Sequence, residues 1–573
     1  MMILGLILIL VGMLALLTGL LGSVWVHYGG RRDWRLGATL LASVGAPLML
    51  SGFILGDAGR TADLFGVILL VITLVAIVGA LSLPVVSRAQ GKGSTTWAII
   101  SGVVLALTIV FVAWAAIETR ELKSFSVLVG LFFVVLGAVA VVLGLLGLVV
   151  QLIRRKGRAA ALGFVWSTVS VVIFGVVGIA ILAPRPPSPP DSMSSRAELD
   201  LYLEDLVNSG GPPGISVVVA KDGETVYDRA FGLADAPNAI PATPSTTYHW
   251  FSVTKIPTAI AIMQLVEEGL IGLDDDVADY LPFFEVGNPP ATNQPVTIAQ
   301  LLNHSSGLPD DMPACMGCVH LEDEPALNQT DLLRNEKLPS HNTLLFEPGS
   351  KAVYTNVGYH TLGVVVEQVS GQSYEDYIID SILEPLGMTN TRFEYTEEMK
   401  ADAAVGAHPM AAFQTLFFPL FSSPWPSDYI RGYDDGWAWF NRFLFDANPP
   451  SGLIGPADEM ARLGVALLNG GELEGTRILS PESVGTMFTD RHITPGRSNQ
   501  WGDYDRFDTW EQGLGWKVIR HNGRLHYAHG GGGAAFKALI RLYPDDDLGI
   551  VILVNSTNVA HHDIADAIAE ISW

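Results

Sequence analysis

The chain has 573 residues, 34 Lys and Arg against 58 Asp and Glu, a formal net charge of −24, and a composition that is 49% hydrophobic. Residues 1–190 hold 13 of the basic and 5 of the acidic residues, so the remainder carries a net charge of about −32. A surface that acidic repels nucleic acid and other polyanions, and with only Cys315 and Cys318 the chain has neither a disulfide framework nor a four-cysteine metal site.

Six apolar runs come first, at roughly 2–26, 37–56, 64–86, 95–117, 125–152 and 159–183, each close to the ~20 residues that span a bilayer as a helix. No apolar stripe alternates with a polar face in them, which argues against buried helices of a soluble domain. Arg31, Arg32 and Arg35, then Arg88 and Lys92, then Arg154, Arg155, Lys156 and Arg158 fall in the first, third and fifth connections. The positive-inside bias makes those loops cytoplasmic and puts both ends of a six-helix transmembrane domain, residues 1–183, outside. The first run lacks a basic leader and a cleavage site followed by polar sequence, and is expected to be retained rather than removed as a signal peptide. The spans contain no Asp, Glu, Lys or Arg, which favours anchoring over transport and leaves a regulatory or lipid-binding role beside it.

Residues 184–193 include Pro-Arg-Pro-Pro-Ser-Pro-Pro, a stiff polyproline spacer. From residue 194 to 573 the pattern is globular. Ser194–Val207 reads as an amphipathic helix. Ile215–Ala220 and Glu224–Phe231 read as a hairpin around Lys221-Asp222-Gly223. Near the other end Lys517–Arg520, Leu525–Ala528, Ala535–Tyr543 and Leu548–Val554 read as strands, and Ala560–Ile571 as a closing helix. Hairpins at both ends of a mostly helical middle predict an α+β domain: an antiparallel sheet completed by both termini, flanked by helices, with an all-helical subdomain.

Three constellations carry chemistry. Ser252-Val253-Thr254-Lys255 opens the helical segment Thr254–Glu268, so serine and lysine share a face at i and i+3. A lysine desolvated beside Ile256 and Ala259 could take the serine proton, and the helix N-terminus favours the developing anion. Alone, the same four residues also fit a serine N-cap with an exposed lysine. Tyr354-Thr355-Asn356 is expected on a loop before the helical run Tyr359–Gln368, with tyrosine able to relay a proton and Asn356 able to accept from Lys255 while donating to a substrate carbonyl. An ordinary turn fits it equally. His529-Gly530-Gly531-Gly532-Gly533 is expected at the junction of two strands, where consecutive glycines suit close approach of a backbone or ligand, or a loose hairpin loop.

In order and setting these triplets resemble the S-x-x-K, Y-x-N and K/H-x-G motifs of class C β-lactamases and their relatives, the D-Ala-D-Ala carboxypeptidases and esterase-like penicillin-recognising serine hydrolases. Leu301–Leu308, Glu347-Pro348-Gly349, Gly358-Tyr359, Glu384–Met388, Gly452-Leu453-Ile454 and Tyr543-Pro544 ahead of Asn555 are similar to that family too. The resemblance covers most of residues 195–573 and not the six apolar runs. It implies Ser252 as nucleophile, Lys255 and Tyr354 sharing the general-base role, and backbone N–H groups of Ser252 and Gly532 as the oxyanion hole. Asn356, His529, Gly531 and Gly532 would bind substrate, with no cofactor and no metal. His529 where class C enzymes carry lysine implies weak or absent β-lactamase activity.

Other features are read more plainly. His304 is expected to brace its loop rather than act as a base, and Cys315 and Cys318 to form a local disulfide rather than a zinc site. The aromatic stretch Phe413–Phe445 is either an irregular core or an apolar wall of the cleft or membrane contact. The acidic excess fits salt adaptation or ordinary solubility. The leading function is a multi-pass, cell-membrane-anchored extracytoplasmic serine hydrolase acting on an ester, amide or peptide of a small-molecule or peptide substrate, with the lipid bilayer as its other partner. The alternatives are an acylation-type sensor signalling through the membrane helices and a binding module without turnover.

Overall fold

A computed structural model describes residues 187–190, 192–287, 294–310, 319–324, 326–410, 429–434, 436–489, 507–533 and 535–573. All belong to the second of two units into which the chain divides, Ala183–Trp573. The six apolar runs, Cys315, Cys318 and the aromatic residues from Phe413 to Trp425 lie outside the described residues. Among the described residues no helix is long and apolar enough to cross a membrane.

Helix α1, Arg196–Asn208, starts where the Ser195 side chain accepts from the Glu198 N–H, and buries Leu199, Leu203 and Leu206 at helical spacing. Strands β1, Gly214–Lys221, and β2, Glu224–Asp235, follow as a hairpin. Asp222 and Gly223 both have positive φ, 53° and 81°, as the tight two-residue turn between right-twisted strands requires. The short β3, Ile240–Pro241, lies on the far side of β2.

The middle of the chain supplies helices α2, Lys255–Glu267, α3, Asn356–Ser370, and α4, Ala457–Leu468. Strands β4, Thr509–Gln512, β5, Lys517–His521, β6, Arg524–Gly532, β7, Lys537–Tyr543, and β8, Leu548–Val554, then lead to helix α5, His561–Ala569. The sheet has eight strands in the order β4-β5-β6-β7-β8-β1-β2-β3, antiparallel throughout. The first long strand therefore pairs with the last, Ile215 opposite Val554, and the two ends of the domain close one sheet.

Period-2 alternation assigns the faces. Ile215, Val217, Val219, Leu539, Ile550, Ile552 and Val554 pack with α1 and α5, while Val218, Ala220, Ile540, Leu542, Val551 and Leu553 pack into the larger core that holds α2, α3 and α4. Every residue of β8 is buried, because both faces of the strand are covered. On the α5 face the fully buried Arg541 donates to Asp566 and to the Tyr543 hydroxyl, so a charge enters the core only with its partners.

The helical middle is not all helical, contrary to expectation. Ala407–Pro409, Trp437–Phe440 and Ile430–Asp434 form a three-stranded sheet, and Val319–Leu321 pairs with Phe443–Phe445. Bulky aromatic side chains suit short, buried strands better than helices here. Phe443 and Phe445 pack around His249 at ring distances of 4.5 and 5.9 Å, so these two residues of the aromatic stretch are core rather than cleft wall.

Candidate active site

The chain enters the site through Trp250, whose N–H donates to the Leu453 carbonyl at 2.9 Å and whose indole donates to the Gly455 carbonyl at 3.2 Å. Phe251 then takes φ 48°, an unusual left-handed conformation for a bulky residue, and Phe251–Thr254 forms one 3-10 turn running directly into α2. Ser252 is half-buried on that turn and Lys255 is the first residue of α2, wholly buried. Pro257 falls in the first turn of α2, where its missing N–H costs nothing.

The Lys255 ammonium donates to Asn356 Oδ1 at 2.7 Å and to the Pro450 carbonyl at 2.9 Å, and lies 4.8 Å from the Tyr354 ring centroid. Asn356 is not on a loop as the sequence suggested. It is the first residue of α3, which starts three residues earlier than the apolar periodicity did because Asp310 supplies the missing acceptor. Asp310 Oδ1 accepts from the Asn356 backbone at 3.0 Å and from its side-chain amide at 3.2 Å. The amide carbonyl is thereby turned toward Lys255.

Tyr354 is braced from the other side by His304. The two rings lie 4.4 Å apart, His304 Nδ1 accepts from the Thr355 N–H at 3.3 Å, and the His304 carbonyl accepts from the Val353 N–H at 2.8 Å. Thr355 Oγ1 adds a bond to the Pro309 carbonyl at 3.0 Å. His304 is thus a brace, as its sequence position implied. Burial, then the Lys255 and Lys517 charges, hold its imidazole well below the usual histidine range.

The glycines of the third motif are not at a strand junction. They continue β6 through Gly532, beyond the end of β5, whose first residue Lys517 pairs with Ala528. Gly533 N–H donates to the Phe536 carbonyl at 3.2 Å. Ladder alternation then turns the Gly532 N–H away from β7, toward the edge that β5 leaves uncovered. Gly531 lies so close to the turn carrying Ser252 that an added Cβ would sit 2.1 Å from the Trp250 carbonyl and 3.2 Å from the Ser252 nitrogen, and one on Gly533 would meet the Phe251 ring at 2.1 Å. Glycine is needed for this approach. His529 Nδ1 donates to the Gly530 carbonyl at 2.9 Å, and burial beside Lys517 and Lys255 holds the ring well below the usual range, so it is a neutral acceptor through Nε2.

The three motifs thus converge. Three contributors were not singled out from sequence: Asp310, two residues past the quoted Leu301–Leu308 segment; the Pro450 carbonyl; and Lys517, the lone charge in the apolar run Leu514–Ile519. Lys517 is buried, its Nζ is 5.5 Å from the Tyr354 centroid, and desolvation pushes it down to about 7.

A family model described as Beta-lactamase matches residues 199–572. Protein flp of Staphylococcus aureus (strain N315) is 31% identical over 260 residues, covering 45% of this chain and 50% of that protein. Penicillin-binding protein 4* of Bacillus subtilis (strain 168) is 37% identical over 179 residues, 31% of this chain and 37% of that protein. The chain spans half the length, or less, of these curated relatives. The octameric penicillin-binding protein homologue from Pyrococcus abyssi has a TM-score of 0.52 at 27% identity, over 65% of this chain and 76% of that one.

Proposed function

We propose, because the chain belongs to the Beta-lactamase family of serine hydrolases, that it cleaves an ester, amide or peptide bond through an acyl-enzyme on Ser252. The observation that carries this is the junction of Lys255 with the second motif, where a buried ammonium 2.7 Å from Asn356 Oδ1 and 4.8 Å from the Tyr354 ring centroid stands three residues from the serine. A serine hydroxyl is a poor nucleophile until a positioned base takes its proton.

In this reading the Lys255–Tyr354 pair accepts the Ser252 proton as Oγ bonds to the substrate carbonyl carbon. The tetrahedral oxyanion is held by the Ser252 and Gly532 N–H groups, each such donor contributing ~2.7–4 kcal/mol. The proton passes to the leaving group as its bond to carbon breaks. Water then attacks the acyl-enzyme with the same pair as base, releasing the acid and restoring Ser252. Asn356 and His529 orient the substrate. A neutral His529 gives a substrate carboxylate no cation, which supports weak or absent β-lactam hydrolysis. The hydropathy and charge of residues 1–183 support a membrane anchor with the hydrolase outside the cytoplasm; protease added to intact cells is then expected to remove the C-terminal domain, and protection until lysis would refute it.

The test is hydrolysis of p-nitrophenyl acetate and butyrate by the full chain in detergent, beside Ser252→Ala, with intact-mass detection of an acyl adduct. Turnover and an adduct that both vanish in Ser252→Ala are expected. A lasting adduct without turnover would favour the acylation sensor, and no serine-dependent signal with any ester or amide would defeat the proposal.

A further inference from the structure

The Tyr354 ring is enclosed by groups from four parts of the domain. Lys255 comes from α2 at 4.8 Å, His304 from the loop after Ile298–Leu302 at 4.4 Å, Lys517 from β5 at 5.5 Å and His529 from β6 at 6.5 Å, each measured to the ring centroid. Asp310, bonded to Asn356, is the neighbouring acid. We infer that Lys517 is an electrostatic positioning residue for the general base, supplying the Lys255–Tyr354 pair with the positive charge that the imidazole in the third motif does not bring.

Three observations support it. Lys517 is buried at the start of a strand, where an apolar side chain would fill the space without the cost of desolvating an ammonium. Its charge reaches across the site, since it is among the causes that depress both His304 and His529. Burial pushes Lys517 down only to about 7, which leaves it charged in the acidic half of the pH range, where a base must be helped to lose its proton. A cation beside either member of the pair lowers the pH at which that member becomes a base, whichever of the two carries the proton.

The inference rests on the hydrolase reading, and the experiment separates the two. The pH dependence of kcat/KM for p-nitrophenyl butyrate is measured from pH 5 to 9 on the full chain, as wild type, Lys517→Met, Lys517→Gln and Lys517→Arg, with thermal melts to check folding and Ser252→Ala as the reference. The expected result is an acidic limb displaced to higher pH by about one unit in the Met and Gln variants, roughly a tenfold loss at pH 6 that fades at alkaline pH, and a limb in Lys517→Arg at or below that of wild type. Neutral variants that fold and keep the wild-type limb would overturn the inference while Ser252-dependent turnover left the hydrolase reading standing. Displacement of the Arg limb along with the neutral ones would overturn it too, by showing a packing effect. Loss of all Ser252-dependent activity in wild type would remove both.

Discussion

Asn356 shows how much of this site depends on one side chain being held the right way round. An amide presents either a carbonyl or an NH2 group to its neighbour, and only the carbonyl can accept from the Lys255 ammonium. Asp310 decides the matter by taking both the backbone and the side-chain N–H of Asn356. Asp310→Ala is therefore expected to lower kcat/KM about 10- to 100-fold, because the amide that accepts from Lys255 and orients the substrate loses its fixed orientation. Asp310→Asn, whose own carbonyl can still accept, should fall between. Equal activity in all three proteins would show that Lys255 alone orients Asn356. Phe251, at φ 48°, is a second such point: its ring wedges among Phe445, Phe536 and His249, and that packing holds the backbone bend which projects Ser252.

At the scale of elements, β6 changes role along its length, from an interior strand at Ala528 to an uncovered edge at Gly532. The glycines that weaken it as a strand let it lie against the turn that carries Ser252. Gly531→Ala is expected to push β6 from Trp250, lowering the melting temperature and reducing acylation by at least about 100-fold. A variant with wild-type acylation would mean that the turn yields at no cost. Hairpin and pattern signals made much of this architecture legible: Lys221-Asp222-Gly223 marked the first hairpin, the apolar runs near the C-terminal end marked β7 and β8, and the serine-lysine pair stood at the predicted helix start. What was not legible came from long-range partners. Asp310 extended α3 back to Asn356, and pairing with β7 carried β6 through residues whose composition reads as a loop. The small aromatic strands acquired their form from partners distant in sequence, Phe443–Phe445 from a core around His249 and Trp437–Phe440 from pairing with Ala407–Pro409 and packing against Val405.

For the whole domain, the buried histidines set a pH below which the fold weakens. His249 is held down to about 3 and His526 to about 2, chiefly by burial, and His304 and His529 lie well below the usual range for the same first cause. Neither ring nitrogen of His526 meets a hydrogen-bond partner among the described residues. In the unfolded chain these rings take up protons near pH 6.5, while the folded domain refuses them. The unfolded state then binds more protons, so stability falls with pH below about 6.5, at up to ~1.4 kcal/mol per histidine per pH unit. Glu375, Asp458 and Glu459 act in the opposite sense, because burial raises their carboxyls and the folded state takes up their protons first. Their effect is confined to the range above the ordinary carboxylate values, so the histidine loss is clearest between pH 6.5 and 5.5. The melting temperature of the C-terminal domain within the full chain should decline slightly between pH 7.5 and 6.5, where Lys517, held down to about 7, and the first histidine protons bind more readily to the unfolded state, and drop by several degrees more at pH 5.5. His526→Leu, which keeps an apolar body against Phe507 and Tyr543, should make that drop smaller. A melting temperature independent of pH over this range would show that the interior accepts these protons and that burial does not hold the imidazoles neutral.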